Sequence, residues 1–151
     1  MSNAGIYGPR SMAFGEVTAE GWREVFEVNT IAPLMLAQAF AGSVAQSERK
    51  LIAVISSKMG SIADNQSGGS YIYRTSKTAV NQVVKSMSVD LAGQGISVIT
   101  LHPGWVRTDM GGANAEITTT KSVDGMTRVL LSAGPAQTGQ FFNYTGDVIP
   151  W

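Results

Sequence analysis

The sequence predicts an α/β fold built on a parallel sheet, and three observations carry that expectation. Leu51-Ile52-Ala53-Val54-Ile55 is a continuous apolar run, and Ile96-Ser97-Val98-Ile99-Thr100-Leu101 repeats its β-branched character; short runs of this kind are strands buried on both faces. Stretches of helical periodicity alternate with them, which implies right-handed crossovers and a sheet covered on both sides. Polar and glycine residues, Ser56-Ser57 and Pro103-Gly104, follow the two strands directly, at the carboxyl ends where ligands bind in such sheets.

The elements follow in order. Residues 1–9 read as a loop from Gly5, Gly8 and Pro9. Thr18 is a candidate N-cap with Glu20 in the first turn. Over residues 19–43, Trp22, Val25, Phe26, Leu34 and Phe40 recur at helical spacing. Pro33 interrupts that helix and gives no N–H to the carbonyl of Asn29; it is either a packing kink or a device that leaves a main-chain acceptor free. After the first strand, residues 64–70 are polar and glycine-rich, hence a loop. A helix then runs to about residue 91 with Ala79, Val80, Val83, Val84, Met87 and Leu91 as its apolar content, and Gly93 and Gly95 stop it. The second strand ends in His102-Pro103-Gly104. A loop over 106–120, a helix over 121–132 and a last strand over 141–144 complete the chain.

Composition narrows the function classes. Hydrophobic residues make up 44% of the 151 residues and charged ones 15%, as in one globular domain with its own core. Eleven basic and eleven acidic side chains cancel, so no nucleic-acid or membrane surface is expected. There is no cysteine, which excludes a disulfide scaffold and cysteine-ligated metal and is compatible with a reducing compartment; a cytoplasmic location is the expectation. No apolar run approaches the roughly 20 residues of a membrane span. His102, the only histidine, is expected to pack at a strand end, with no metal site.

Tyr73-Arg74-Thr75-Ser76-Lys77 opens the central helix. A spacing of four puts the phenol and the ammonium on one helical face, a turn apart. A positive charge so close is expected to favour the phenolate and lower the tyrosine pKa, and such a phenol can exchange a proton near neutral pH.

Taken in order, Asn3-Ala4-Gly5, Val28-Asn29, Ile55-Ser56-Ser57 with Gly60, Tyr73-x-x-x-Lys77 and Pro103-Gly104-Trp105-Val106-Arg107-Thr108 resemble the short-chain dehydrogenase/reductase family over nearly the whole chain. Ser57-Lys58-Met59-Gly60-Ser61 and the stretch from His102 to Met110 resemble the branch of sniffer and C-factor carbonyl reductases. The resemblance implies residues 1–151 as a single, incomplete Rossmann-type domain: strands 5–7 of the family's doubly wound sheet and a stub of strand 4. It implies hydride transfer between NAD(P) and a carbonyl or alcohol, with NADP(H) favoured over NAD(H). Tyr73 would supply the proton, Lys77 would tune Tyr73 and bind the nicotinamide ribose, and Ser57 would hold the substrate oxygen. Ser57 is preferred to Ser56 because Gly60 follows it at the family's offset, although the gap to Tyr73 is longer than common. Asn29 would complete the tetrad through a water held on its main-chain carbonyl. Asn3, Ala4, Gly5, Ile55, Tyr73, Lys77, Pro103, Gly104, Val106 and Thr108 would contact the cofactor. Residues 110–120 would form the mobile substrate loop, and helices 19–43 and 71–92 would form a homo-oligomer interface.

The family's Thr-Gly-x-x-x-Gly-x-Gly phosphate-binding turn does not occur in this sequence. The expectation is therefore a chain that opens inside the fourth strand and exposes one edge of the strand at residues 51–55, an edge that invites pairing. Two functions are compatible with this: a short-chain carbonyl reductase, or a non-catalytic remnant that acts as an oligomerising or interaction module.

Overall fold

A computed structural model of the chain describes residues 1–9 and 14–151. Three parallel strands, β1 (Leu51–Ile55), β2 (Ser97–His102) and β3 (Phe141–Asn143), lie in the order β1-β2-β3. The helices are α1 (Ala19–Phe26), α2 (Ala32–Gln46), α3 (Tyr71–Asp90) and α4 (Thr119–Ser132). The sheet has a core on each face. Ile52, Val54 and Val98 pack with Ala37 of α2 and with Val80, Val84 and Met87 of α3. Ala53, Ile99, Leu101 and Phe142 pack with Met126 and Val129 of α4. Successive strand residues thus enter opposite cores, which is why both strands read as apolar runs without alternation. Val80 and Val84 are wholly buried, and each such side chain contributes about 1.5–3 kcal/mol. The structure is a partial Rossmann-type α/β fold, as the sequence predicts.

Among the described residues, the outer edge of β1 carries only a stub. Ser2 donates to the Ala53 carbonyl at 2.8 Å and accepts from the Ile55 amide at 2.9 Å, a single parallel bridge opposite Val54.

Three boundaries differ from expectation. The helix over residues 19–43 is not interrupted at Pro33: α1 and α2 are joined by a π-helical turn, Glu27–Ile31. The wider turn absorbs the donor that Pro33 lacks, so the helical path continues to Gln46. Thr18 stands at the N-cap of α1 but makes no side-chain capping bond. Helix α4 starts two residues earlier than expected, because the Thr118 hydroxyl accepts from the Lys121 amide at 3.2 Å and caps it.

Within the helical run Ala19–Ala45 one 18-residue window reaches a mean hydropathy of 1.3, enough by length and composition for a membrane-crossing helix, a feature hidden in the sequence by the polar residues of the first half. One face of it packs inward through Val25, Asn29, Pro33 and Ala37. On the other, Ile31, Met35, Leu36 and Phe40 are between 45% and 59% exposed.

Candidate active site

The carboxyl end of β1 carries the first site residues. Ser56 donates its hydroxyl to the Lys77 carbonyl at 3.4 Å, toward the protein interior. Ser57 is extended, and its Oγ accepts from the Met59 amide at 3.2 Å, starting the 3-10 turn Lys58–Gly60. That turn is joined to α3, since the Gly60 carbonyl accepts from Thr78 Oγ1 at 2.9 Å and from Asn81 Nδ2 at 3.3 Å. A Cβ at Gly60 would stand 2.8 Å from the main-chain carbon and the Cβ of Lys77, so only glycine lets the turn sit directly on α3. Replacing Gly60 by alanine is expected to destabilise the fold by roughly 1–3 kcal/mol, as overpacking does, and to move Ser57 away from Tyr73. Urea unfolding of the variant measures the first effect; an unchanged midpoint would refute the close approach.

Helix α3 carries Tyr73 and Lys77, both buried on the side that meets this turn. The Lys77 ammonium lies 5.7 Å from the centroid of the Tyr73 ring and donates to the Ile55 carbonyl at 3.2 Å. Burial, the larger influence, and the nearby Tyr7 raise the Tyr73 pKa above its ordinary value, against the lowering effect of a hydrogen bond with Ser57. This corrects the expectation of a lowered phenol pKa: desolvation of the phenolate outweighs the lowering influence of Ser57. The same burial pushes Lys77 down to about 8.

Asn29 lies behind this group, in the π-turn. Its Oδ1 accepts from the Ile6 amide at 2.9 Å, and its Nδ2 donates to the Ile6 carbonyl at 2.8 Å and to Ser76 Oγ at 3.0 Å. It therefore ties the amino-terminal loop to α3. Its main-chain carbonyl is denied its usual helical donor by Pro33.

A cleft of about 870 Å³ opens over these side chains. Of the residues expected at the site, Ser57, Tyr73, Lys77, Asn3, Gly5, Ile55, Pro103, Gly104, Val106 and Thr108 line it; Ala4 and Asn29 do not. Tyr7, which the sequence reading passes over, also lines it and stacks on Tyr73 with ring centroids 4.4 Å apart. An aromatic residue two positions after Gly5 was the only signal available. Residues 105–117 fold on themselves: Trp105 Nε1 donates to the Gly111 carbonyl at 2.8 Å, and Arg107 Nε to that of Ala115 at 2.9 Å.

His102 also lines the cleft and is not merely a packing residue. Its Nδ1 is buried with no hydrogen-bond partner among the described residues. Burial first, and then the charge of Lys58, push its pKa down to about 4. Between pH 6.5 and 4 the unfolded chain therefore binds a proton that the folded chain refuses, and stability falls as pH drops through that window, by on the order of 3 kcal/mol. His102→Gln is expected to lose this part of the acid sensitivity. Urea midpoints at pH 7 and pH 4.5 test it: equal losses in both proteins would show that the imidazole does not stay neutral.

The cleft suits one end of a dinucleotide. Three donors are available on a lysine ammonium, and Lys77 gives one to Ile55. A Cβ at Gly5 would lie 3.4 Å from Lys77 Nζ, so the bare backbone there keeps space beside the charge. Gly104 has φ +86°, a conformation that favours glycine, and places main chain on the cleft wall. These features fit a nicotinamide and its ribose. The sequence contains no glycine-rich turn for the pyrophosphate.

Comparison with known proteins agrees with this geometry. The family model described as short chain dehydrogenase matches residues 1–118. C-signal of Myxococcus xanthus is 41% identical over 151 residues, covering 100% of this chain and 90% of that protein. Among solved structures, carbonyl reductase Sniffer of D. melanogaster superposes with a TM-score of 0.92 at 38% identity. The NADPH-bound carbonyl reductase from chicken fatty liver gives 0.90 at 38%. This chain is covered to 99% in both comparisons but spans only 64% of either reductase. The NADPH in the chicken structure favours NADP(H) as the nucleotide of this branch. On its sequence, its fold and the arrangement of its cleft, the chain belongs to the short-chain dehydrogenase family.

Proposed function

We propose that this chain supplies the catalytic half of an NADP(H)-dependent carbonyl reductase. The observation that carries the reading is the meeting of the Ser57 hydroxyl, the Tyr73 phenol and the Lys77 ammonium on one wall of the cleft, at the carboxyl end of β1. NADP(H), when bound, supplies the hydride for the carbonyl carbon. Ser57 holds the substrate oxygen, a donor aimed where negative charge develops. Tyr73 gives that oxygen its proton; a phenol with a raised pKa stays protonated at neutral pH and so is available as the acid. Lys77 and the cleft wall formed by Asn3, Gly5, Pro103, Gly104, Val106 and Thr108 receive the nicotinamide and ribose. The Asn29 carbonyl holds a water that reprotonates Tyr73. The test is a fluorescence titration of the chain with NADPH, joined to an assay of carbonyl reduction. Saturable binding with turnover supports the reading; no binding at millimolar NADPH by a folded chain overturns it for this chain.

A second reading rests on a different observation. C-signal, a protein whose name marks it as a signal, matches this chain along its entire length and is of nearly the same size. By that likeness the chain acts through its surface, and the apolar stripe of Ile31 in the π-turn with Met35, Leu36 and Phe40 on α2 is the face for self-association. Phe40→Asp places a charge in the stripe and is expected to shift a dimer to monomer in sedimentation. A monomeric parent chain would exclude this use of α2.

A further inference from the structure

Tyr7 is held from three sides. Its ring stacks on that of Tyr73 at 4.4 Å with planes inclined by 20°. Its hydroxyl is 2.9 Å from Ser70 Oγ. The residue before it, Ile6, has both main-chain groups bound by the Asn29 side chain. The residue after it, Gly8, has φ +76°, and a Cβ there would stand 2.6 Å from Val25 Cγ2. The loop can therefore neither lift away nor turn without losing these contacts.

Ser70 shows that the arrangement is maintained against local preference. A serine before a helix ordinarily takes extended backbone and caps a free N–H of the first turn. Ser70 precedes α3 in the left-handed region, φ 46° and ψ 40°, and makes no side-chain capping bond. A non-glycine residue there carries strain, and the hydroxyl goes to Tyr7 instead. The start of the helix that bears Tyr73 is thus tied to the ring that lies on Tyr73.

We propose that Tyr7 is a positioning residue for Tyr73: pinned by Ser70 and by the Asn29–Ile6 clamp, its ring fixes the plane in which the Tyr73 phenol faces the cleft. Its role in turnover rests on the reductase reading; its hold on the ring does not. The groups that face Tyr73 are Ser57 from the turn after β1, Tyr7 from the amino-terminal loop and Lys77 from its own helix. Lys58, Asp64, Arg74 and His102 line the cleft around them. Of these, Tyr7 adds to the rise in the Tyr73 pKa.

The test uses the whole chain with its tyrosines carbon-13 labelled at Cζ. It holds four tyrosines, so single Tyr→Phe variants assign every resonance. In the parent chain Tyr73 is expected to show ring-current-shifted ring protons and a pKa above the ordinary tyrosine value. Tyr7→Phe keeps the stack and is expected to keep the ring-current shift. Tyr7→Leu is expected to lose that shift and to lower the Tyr73 titration by the small part that Tyr7 adds, burial remaining its main cause. Should Tyr7→Leu not fold, Ser70→Ala releases only the hydroxyl and is expected to reduce the shift. Where turnover is measured, Tyr7→Leu is expected to lower kcat by about tenfold or more with little change in KM, the mark of a misplaced group, and Tyr7→Phe to recover most of it. A Tyr73 resonance and titration unaltered by Tyr7→Leu, or by Ser70→Ala in its place, overturns the proposal. Altered resonances in a parent chain that turns nothing over uphold the positioning and defeat the reductase reading instead.

Discussion

Tyr73→Phe is expected to lower carbonyl reduction by about 10²–10⁴-fold, the range for losing a positioned general acid, while the fold persists. The substitution removes one hydroxyl and keeps the ring, so the stack with Tyr7 and the packing of α3 on the sheet remain. The phenol's interaction with the Ser57 hydroxyl goes with it. Circular dichroism and a urea midpoint establish the fold, and the rate of NADPH oxidation with a carbonyl substrate measures the effect. Turnover within a few-fold of the parent would remove Tyr73 from the chemistry.

Lys77→Met is expected to separate activity from stability. The ammonium is buried, and its pKa falls from 10.5 to about 8. Below pH 8 both folded and unfolded chains carry the charge, so the full penalty of burying it, on the order of 3 kcal/mol, is present at neutral pH. As pH rises from 8 toward 10.5 the folded chain sheds the proton first and the penalty is relieved. Methionine keeps the aliphatic length and removes the charge, losing one hydrogen bond to Ile55 worth about 1 kcal/mol. The variant should therefore melt several degrees higher than the parent at pH 7, with the advantage shrinking as pH rises through that window. Reduction should be lost, because no cation remains to receive the ribose or to favour the phenolate as it forms. The parent's own rate should fall as pH rises through about 8. A variant both inactive and less stable at pH 7 would mean that Lys77 is structurally required, not buried at a cost for function.

Much of this was legible because the sheet is buried on both faces. Leu51–Ile55 and the strand at Ser97–His102 read as strands for the same reason that they fill two cores. The Tyr73–Lys77 step and the offset from Ser57 to Gly60 are local spacings, and the fold preserves them. The features that escaped the sequence depend on contacts between distant residues. Tyr7 meets Ser70 across 63 positions, and no periodicity links them. The direction of the Tyr73 pKa turned on burial, which only tertiary packing sets. The π-turn escaped because one wide turn barely disturbs an apolar pattern with a period of 3.6.

That turn also keeps one face of a long helix inward on both of its sides. An ordinary helix rotates about 100° per residue, which over the span from Val25 to Ala37 would leave them about 120° apart; the π-turn takes up one extra residue and keeps both facing inward. Through it, Trp22 can reach Thr75 at 3.0 Å and Val25 the interior, while Ala37 faces the β1 core and Asn29 points inward between them. Removing one residue from Glu27–Ile31 would restore a uniform pitch and leave Val25 and Ala37 on one face, but it would close the wide turn in which Asn29 sits. The shortest deletion in the chain would then dismantle the Asn29 clamp without touching Asn29.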